Sequence, residues 1–257
     1  PISFLNSFAK EKRDLTSAKI IAVTGSAGKT SLKNILRDLL QNFGKTCSSQ
    51  KSFNNHLGVP ISLSNLSFED KFGIFEVGMS KAGEIKNLTK LIKPNIGIIT
   101  NIGEAHIENF KNIKEIAKAK GEIINNIEKN GSVILNRDDK FFNYLKHKAQ
   151  LRNIKIRTFG KLKNSDVQLI KIKKSKNKKI IIVKINKINL HFKIKDINVY
   201  NVLASLAVLI DLKLDISKSL KIFKSLQPSE GRGKVYMVKR YRKNFKLIDD
   251  SYNANPL

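Results

Sequence analysis

The first place where this sequence could do chemistry is a lysine beside a hydroxyl in a run of small residues. The segment IIAVTGSAGKTSLKNIL (20–36) contains an apolar run, a small-residue turn and then a helical pattern. Glycines let backbone amides point at a phosphate, the helix N-terminus adds a positive end, and the lysine neutralises charge. The residues expected to hold a nucleotide phosphate are Gly25, Ser26, Ala27, Gly28, Lys29, Thr30 and Ser31.

This turn is a variant of the usual phosphate-binding loop. The pattern G-x-x-x-x-G-K-[ST] needs a glycine five places before Gly28, and Val23 occupies that place. The strand before the turn and the helix after it favour a nucleotide site over a generic glycine-rich turn. The hydroxyl of Thr30 is suited to Mg²⁺, although it could instead cap the helix.

Two other polar side chains follow apolar runs. Glu76 comes at the end of FGIFEV (72–77), and His106 lies in the segment after NIGIIT (95–100). In a parallel sheet the ligand site lies beyond the carboxyl ends of the strands, so these side chains are expected near the phosphate turn. Glu76 offers a hard oxygen and His106 an imidazole to a metal ion. Each could alternatively be a solvated group at a strand end.

Strand-like and helix-like segments alternate through the first 160 residues, which is typical of a parallel sheet covered on both faces. The predicted strands are 19–24, 72–77, 95–100, 131–136 and 154–160, and the helical segments are 32–43, 83–92, 113–127 and 139–148. Period-two alternation over about 166–195 predicts a small antiparallel β appendage. Two helical stretches, 199–210 and 216–226, and two strand-like runs, 234–241 and 244–250, follow. The expected fold class is α/β, with a mostly parallel sheet flanked by helices.

Composition limits the possible functions. A chain of 257 residues that is 41% hydrophobic can bury a core, and its single cysteine, Cys47, excludes an internal disulfide and a cysteine-built metal site. No apolar run approaches the roughly 18 residues of a membrane span, and the N-terminus lacks a signal-peptide pattern, so we expect a cytoplasmic protein.

The net charge of +28 would favour nucleic acid or an anionic membrane as a partner. The excess is carried by lysines spread along the chain, and the densest run, KIKKSKNKK (171–179), is interpreted as a solvated hairpin turn. We therefore expect no specific nucleic acid partner. An anionic substrate is compatible with the charge.

The turn TGSAGKTS (24–31) resembles that of the Mur ligases and their folylpolyglutamate synthase relatives. Six further segments resemble this family in the same order: FNNHLGVPISL (53–63), FEVGMSKAGEI (75–85), ITNIGEAHIENF (99–110), AKAKGEI (117–123), EGRGK (230–234) and DDSYNANP (249–256). They are most similar to members that add D-alanyl-D-alanine to UDP-N-acetylmuramoyl-tripeptide. The resemblance implies a P-loop NTPase-like fold and an ATP-dependent, ADP-forming amide ligase of peptidoglycan precursor synthesis that proceeds through an acyl phosphate.

The resemblance also implies roles for individual residues. It makes Lys29, His106 and Lys120 the catalytic candidates, and it places Thr30, Glu76, His106 and a carbamylated Lys120 around two Mg²⁺ ions. Without it, Lys120 would be read as part of a solvated basic face with Lys114 and Lys118. A carbamate forms from a neutral amine, and a cationic neighbourhood lowers the pKa of a lysine.

The remaining ligand residues have simpler alternatives. Asn198 and Asn201 are expected at the adenine, with helix capping by Asn198 as the alternative. Arg232 is expected at a phosphate and Asp250 at the ribose, with a surface ion pair as the alternative. Asn54 and Asn55 resemble the loop that faces the sugar-peptide substrate, and asparagine is also common in turns. One departure is Ile197, which stands where the family commonly has histidine.

The resemblance implies a domain organisation as well. We expect 1–18 to be a linker helix after an N-terminal domain, 19–249 to be the central ATP-binding domain, and 250–257 to begin a third domain. The two flanking domains are expected to be missing from this chain, so we expect this segment alone to be inactive, and the enzyme to be a monomer. Three rival interpretations stay open: a sibling ligase with another amino-acid or glutamate acceptor, a basic P-loop protein that binds nucleic acid, and a nucleotide-binding remnant without turnover.

Overall fold

A computed structural model describes residues 1–175, 178–195, 197–228 and 231–252. The α-helices are α1 (Ile2–Leu15), α2 (Lys29–Leu40), α3 (Gly58–Ser64), α4 (Glu84–Ile92), α5 (Ile113–Lys120), α6 (Phe142–Gln150), α7 (Val199–Asp211) and α8 (Ile216–Ser225). Short 3₁₀ helices lie at Ile107–Asn109 and Gly121–Asn126. The strands are β1 (Lys19–Thr24), β2 (Thr46–Ser48), β3 (Phe72–Glu76), β4 (Ile96–Ile99), β5 (Ser132–Asn136), β6 (Lys155–Gly160), β7 (Val167–Ser175), β8 (Lys178–Ile185), β9 (Ile188–Ile194), β10 (Lys234–Arg240) and β11 (Lys243–Asp249).

Within the described residues one sheet has the order β2-β3-β1-β4-β5-β6-β7-β8-β9. It is parallel from β2 to β7 and antiparallel from β7 to β9. The predicted α/β class is confirmed. The antiparallel segment continues the main sheet, because β7 pairs with β6 through Phe159 and Val167. The turn predicted within KIKKSKNKK falls on residues 176–177, which lie outside the described residues.

Two elements were missed by the sequence pattern, and one predicted helix is divided. β2 has three residues and α3 has seven, too short for a periodicity to show. The helix predicted over 113–127 is an α-helix only to Lys120 and then a 3₁₀ helix that starts at Gly121. Glycine is a weak helix former, which accounts for a change of helix type at that position.

The sheet is covered on both faces because its strands are apolar on both. In β1, Ile21 and Val23 belong to the core beneath α2, α7 and α8, whereas Ile20 and Ala22 belong to the core beneath α1 and α3–α6. Each core consists of fully or almost fully buried apolar side chains, mostly aliphatic with several phenylalanines. This two-sided burial explains why the parallel strands read as continuous apolar runs.

The strand order sets the position of a ligand site. β1 lies between β3 and β4, and the register pairs Val23 with Glu76 and Thr24 with Ile99. The connection after β1 contains α2 on one face of the sheet, and the connection after β3 contains α4 on the other. The crevice at such a change of direction is where ligands bind in open α/β sheets.

β10 and β11 pair with each other as a two-stranded sheet, with Lys234 opposite Asp249. Most of their residues are exposed.

Among the described residues, no helix combines the length and the apolar character that a membrane crossing requires.

Candidate functional site

A cleft of ≈ 890 Å³ opens at the carboxyl ends of β1, β3 and β4. It brings together most of the residues singled out from the sequence, although they come from segments far apart in the chain. The predicted residues that line it are Ser26, Ala27, Gly28, Lys29, Thr30, Ser31, Asn54, Asn55, Glu76, His106, Asn198, Asn201, Arg232 and Asp250. Gly25 and Lys120 do not line the cleft; Lys120 is only 2% exposed.

The phosphate turn depends on glycine at two positions. Gly25 has φ +146° and Gly28 has φ +81°, conformations that residues with a side chain rarely adopt. A Cβ atom at Gly25 would lie 1.8 Å from Oγ1 of Thr100. The glycine therefore lets the turn pass close to the segment that follows β4.

That neighbouring segment holds the turn by hydrogen bonds. The amide of Ser26 donates to the carbonyl of Asn101 (3.0 Å), and the amide of Ala27 donates to Oδ1 of Asn101 (2.8 Å). Thr100 Oγ1 donates to the carbonyl of Ala27 (2.6 Å). Two of the seven amides predicted to bind phosphate are thus engaged within the protein in this structure.

The backbone amides that a ligand could use lie at the start of α2. The carbonyl of Gly28 accepts the amide of Leu32 (2.9 Å), so the amides of Gly28 to Ser31 precede the first intrahelical bond. Lys29 Nζ donates to the carbonyl of Gly25 (2.8 Å). Burial lowers the pKa of the Lys29 amine, and the carboxylate of Glu76 opposes that effect. The helix start and its lysine are what an anionic ligand in the cleft would meet.

Glu76 ends β3 and is 1% exposed. Its Oε2 accepts from the hydroxyl of Thr30 (2.8 Å), and its Oε1 accepts from Nδ2 of Asn54 (2.7 Å). The hydroxyl of Thr30 is therefore bonded to a carboxylate, and the alternative that it merely caps α2 is wrong. A carboxylate and a hydroxyl oxygen side by side are the donors that Mg²⁺ prefers, so these residues fit such an ion.

Lys120 and His106 supply further nitrogen atoms close enough to Lys29 for their charges to interact. Burial, and after it the charge of Lys29, lowers the pKa of Lys120 to about 7. Burial and the charges of Lys120 and Lys29 lower the pKa of His106, whose backbone has φ +64°. Lys114 and Lys118 are exposed, so Lys120 does not belong to their solvated face. Among the described residues, no three His, Cys, Asp or Glu side chains converge as a metal site.

The two asparagines at the start of α7 have defined partners. Asn198 caps the helix, because its Oδ1 accepts from the amides of Tyr200 (2.8 Å) and Asn201 (3.3 Å). The capping role held as the alternative for Asn198 is therefore observed. Asn201 is 4% exposed, and its Nδ2 donates to the carbonyl of Gly28 (3.2 Å). Asn201 thus contacts the phosphate turn, and Ile197 is part of the core.

The segment around β10 and β11 closes one side of the cleft. The guanidinium of Arg232 lies 4.5 Å from the centre of the Tyr252 ring, and the hydroxyl of Tyr252 is hydrogen-bonded to Ser52. Asp249 accepts from the amide of Gly231 (3.0 Å), whereas Asp250 faces the cleft. Glu230 of the EGRGK motif and residues 253–256 of DDSYNANP lie outside the described residues.

Sequence reasoning missed several residues that build this site. Asn101 and Thr100 hold the phosphate turn, and the hydroxyl of Ser49 accepts the amide of Glu76 (3.1 Å). Asn101 lies in the segment ITNIGEAHIENF, which carries part of the family resemblance. The sequence does not show that this asparagine contacts the phosphate turn. The remaining wall of the cleft includes His56, Ser80, Glu84 and Asn87.

Comparison with known proteins gives consistent results. The family described as the Mur ligase middle domain matches residues 23–209. The UDP-N-acetylmuramoyl-tripeptide--D-alanyl-D-alanine ligase of Rickettsia prowazekii is 36% identical over 98% of this chain and 56% of the relative. The protein of the same name from Buchnera aphidicola subsp. Baizongia pistaciae is 34% identical over 98% of this chain and 54% of the relative.

Solved structures agree with these relatives. A crystal structure of MurF from Acinetobacter baumannii has a TM-score of 0.91 at 28% identity and covers 99% of this chain and 55% of that chain. MurF ligase from Thermotoga maritima in complex with ADP has a TM-score of 0.84 at 28% identity, over 99% of this chain and 58% of that chain. This chain therefore spans little more than half the length of the proteins it matches.

The buried amine predicts a dependence of stability on pH. Replacing Lys120 with methionine should raise the free energy of unfolding, because a buried ammonium is costly. The pKa of Lys120 is about 7 in the folded chain against an ordinary 10.5, so the unfolded chain binds more protons between these values. The gain should be largest at and below pH 7 and should shrink towards pH 10.5.

Denaturant unfolding at several pH values measures this difference. Lys118→Met, an exposed position on the same helix, is the matched control and should show little change at any pH. A gain from Lys120→Met that does not vary between about pH 6 and pH 10 would contradict the depressed pKa.

Proposed function

The chain belongs to the Mur ligase family, and on that premise we propose that its cleft binds ATP for an amide-forming ligase of peptidoglycan precursor synthesis. The observation that carries the proposal is the convergence of the phosphate turn with the bonded pair of Thr30 and Glu76. Four consecutive amides, a lysine, a hydroxyl and a buried carboxylate are a donor set for phosphates and Mg²⁺. The ADP bound by the similar Thermotoga maritima protein is consistent with it.

We assign the β- and γ-phosphates to Lys29 and the amides of Gly28 to Ser31. Thr30 and Glu76 would hold one Mg²⁺, and His106 with a carbamylated Lys120 would hold a second. When bound, these ions would spread the negative charge that develops as a phosphoryl group approaches a carboxylate. The charge of Lys29 serves the same purpose, since both reactants are anions.

The reaction that we propose has two steps. A carboxylate oxygen of UDP-N-acetylmuramoyl-tripeptide attacks the γ-phosphorus of ATP, ADP leaves, and an acyl phosphate forms. The amine of D-alanyl-D-alanine then attacks the acyl carbon, phosphate leaves with the electron pair of the bond that joined its oxygen to that carbon, and the nitrogen loses a proton as the amide forms. No protein nucleophile is needed, because the acyl group is activated by phosphate.

The substrates are inferred from the similar proteins of Rickettsia prowazekii and Buchnera aphidicola, whose names include them. Asn54 and Asn55 lie on the substrate-facing wall in this proposal, with Asn198 and Asn201 towards the adenine, Arg232 towards the phosphates and Asp250 towards the ribose. Since this chain spans little more than half the length of its relatives, the complete reaction is proposed for the polypeptide that contains it. The three-part domain organisation, the monomeric state and the cytoplasmic location expected from the sequence belong to the same proposal.

Lys29→Ala should weaken binding of ATP roughly 10- to 100-fold, because a hydrogen bond to a charged group is worth about 1.5–3 kcal/mol. Isothermal titration calorimetry measures the change. Lys90→Ala, which removes an exposed lysine from α4, should leave the affinity unaltered. Equal ATP affinity in Lys29→Ala and in the unmodified chain would refute the phosphate-turn interpretation.

Carbamylation of Lys120 predicts a signal that can be observed directly. The neutral amine attacks the carbon of CO₂, an N–C bond forms as one C=O π electron pair moves onto oxygen, and loss of one N–H proton leaves the carbamate anion. In buffer with ¹³C-bicarbonate, a carbamate resonance should appear in the carbon NMR spectrum. It should disappear in Lys120→Ala and persist in Lys118→Ala. The same resonance in Lys120→Ala would exclude the assignment.

The substrate assignment is tested with the polypeptide of the complete reading frame. Phosphate release should require ATP, UDP-N-acetylmuramoyl-tripeptide and D-alanyl-D-alanine together, and mass spectrometry should show the joined product. Turnover with glutamate or a single amino acid instead would favour a sibling ligase. Absence of turnover combined with steeply salt-dependent affinity for DNA or RNA would favour the nucleic-acid alternative.

A further inference from the structure

Lys33 is a buried cation that the proposed reaction does not use. It lies one helical turn after Lys29 on α2 and is 2% exposed. Its Nζ donates to the carbonyl of Ser49 (2.7 Å) and to the carbonyl of Lys51 (2.6 Å). Burial lowers the pKa of this amine, and the nearby carboxylate of Glu76 opposes the shift.

An apolar side chain would fill the same space at a lower desolvation cost, so packing does not account for an ammonium at this position. The two carbonyls that accept from Lys33 belong to one segment, residues 49–55, which we call the 49–55 loop. This loop follows β2 and forms part of the cleft wall. The contacts of Lys33 therefore attach the 49–55 loop to α2, the helix that follows the phosphate turn.

The 49–55 loop in turn holds Glu76 from two sides. At its start, the hydroxyl of Ser49 accepts the amide of Glu76 (3.1 Å). Near its end, Asn54 Nδ2 donates to Oε1 of Glu76 (2.7 Å), and the carbonyl of Asn54 accepts the amide of Gly78 (2.8 Å). A chain of contacts thus runs from Lys33 through the loop to the carboxylate.

We propose that Lys33 is a positioning residue that fixes the 49–55 loop and so aims the Glu76 carboxylate at the cation site beside Thr30. The inference rests on the proposed function in so far as Glu76 binds Mg²⁺. The amides of Gly28 to Ser31 do not depend on the 49–55 loop, so nucleotide binding without metal should be nearly independent of Lys33.

The direction of the change in Mg²⁺ affinity when Lys33 is replaced distinguishes a positioning role from a purely electrostatic one. Removing a positive charge near a cation site should by itself strengthen Mg²⁺ binding. Loss of a residue that orients a metal ligand should weaken it, typically by about 10- to 100-fold. We expect the weakening to prevail in Lys33→Met, because the carboxylate loses the loop that holds it.

The test compares Lys33→Met with Arg37→Met, which removes one cation a turn further along the same helix. Arg37 is partly exposed and is paired with Asp38. Hydrogen exchange of the ligand-free proteins should show faster exchange at the 49–55 loop only in Lys33→Met. Titration with nucleotide present should show Mg²⁺ affinity about 10-fold lower in that variant, with affinity for ATP in EDTA changed less than about threefold.

Two results would overturn the inference: exchange of the 49–55 loop equal to that in Arg37→Met, or Mg²⁺ affinity that is unchanged or higher. If Lys33→Met does not fold, Ser49→Ala decides, because it removes the hydroxyl that accepts the Glu76 amide and keeps the backbone carbonyls that Lys33 binds. Ser49→Ala should weaken Mg²⁺ binding, and an unchanged affinity for Mg²⁺ would contradict the proposal. Unmodified protein that binds neither ATP nor Mg²⁺ would refute the proposed function, while the exchange result would still decide the role of Lys33.

Discussion

A buried carboxylate needs hydrogen-bond donors, and the site is built around the donors to one such group, the side chain of Glu76. Glu76 is almost fully enclosed, yet each of its carboxylate oxygens accepts a hydrogen bond from a different segment. Thr30 comes from the phosphate-turn helix and Asn54 from the 49–55 loop. Burying a charge is costly unless it is hydrogen-bonded, so folding must bring these segments to the end of β3 together. The position of the carboxylate thereby determines the shape of the cleft.

The phosphate turn is constrained in a different way. The amides of Ser26 and Ala27 donate to Asn101, and Gly25 allows the turn to pass close to Thr100 in the same segment. What is left for a ligand is the start of α2, where amides without intrahelical acceptors lie beside the partly buried Lys29. An anion would therefore meet donors already held in place, with little reorganisation needed at the moment of binding.

The three lysines at or near the cleft, Lys29, Lys33 and Lys120, have different surroundings. Burial lowers the pKa of the Lys29 amine while the carboxylate of Glu76 opposes that shift, whereas burial, and after it the charge of Lys29, lowers the pKa of Lys120 to about 7. Lys33 satisfies its charge with backbone carbonyls. Burial lowers the pKa of all three lysines, but the charged and polar groups around each one differ. None of these differences follows from the net charge of the chain.

The sequence by itself determined the α/β class, most strand positions and the turn between β1 and α2, because apolar periodicity and glycine placement are local properties. It also singled out Glu76 and His106, since both follow apolar strands. Only the tertiary structure decided the partners. The bond between Ala27 and Asn101 spans 74 residues, and it exists because β1 and β4 are neighbours in the sheet. Burial likewise separated Lys120 from the exposed Lys118, because a helix face becomes buried only when another element packs on it.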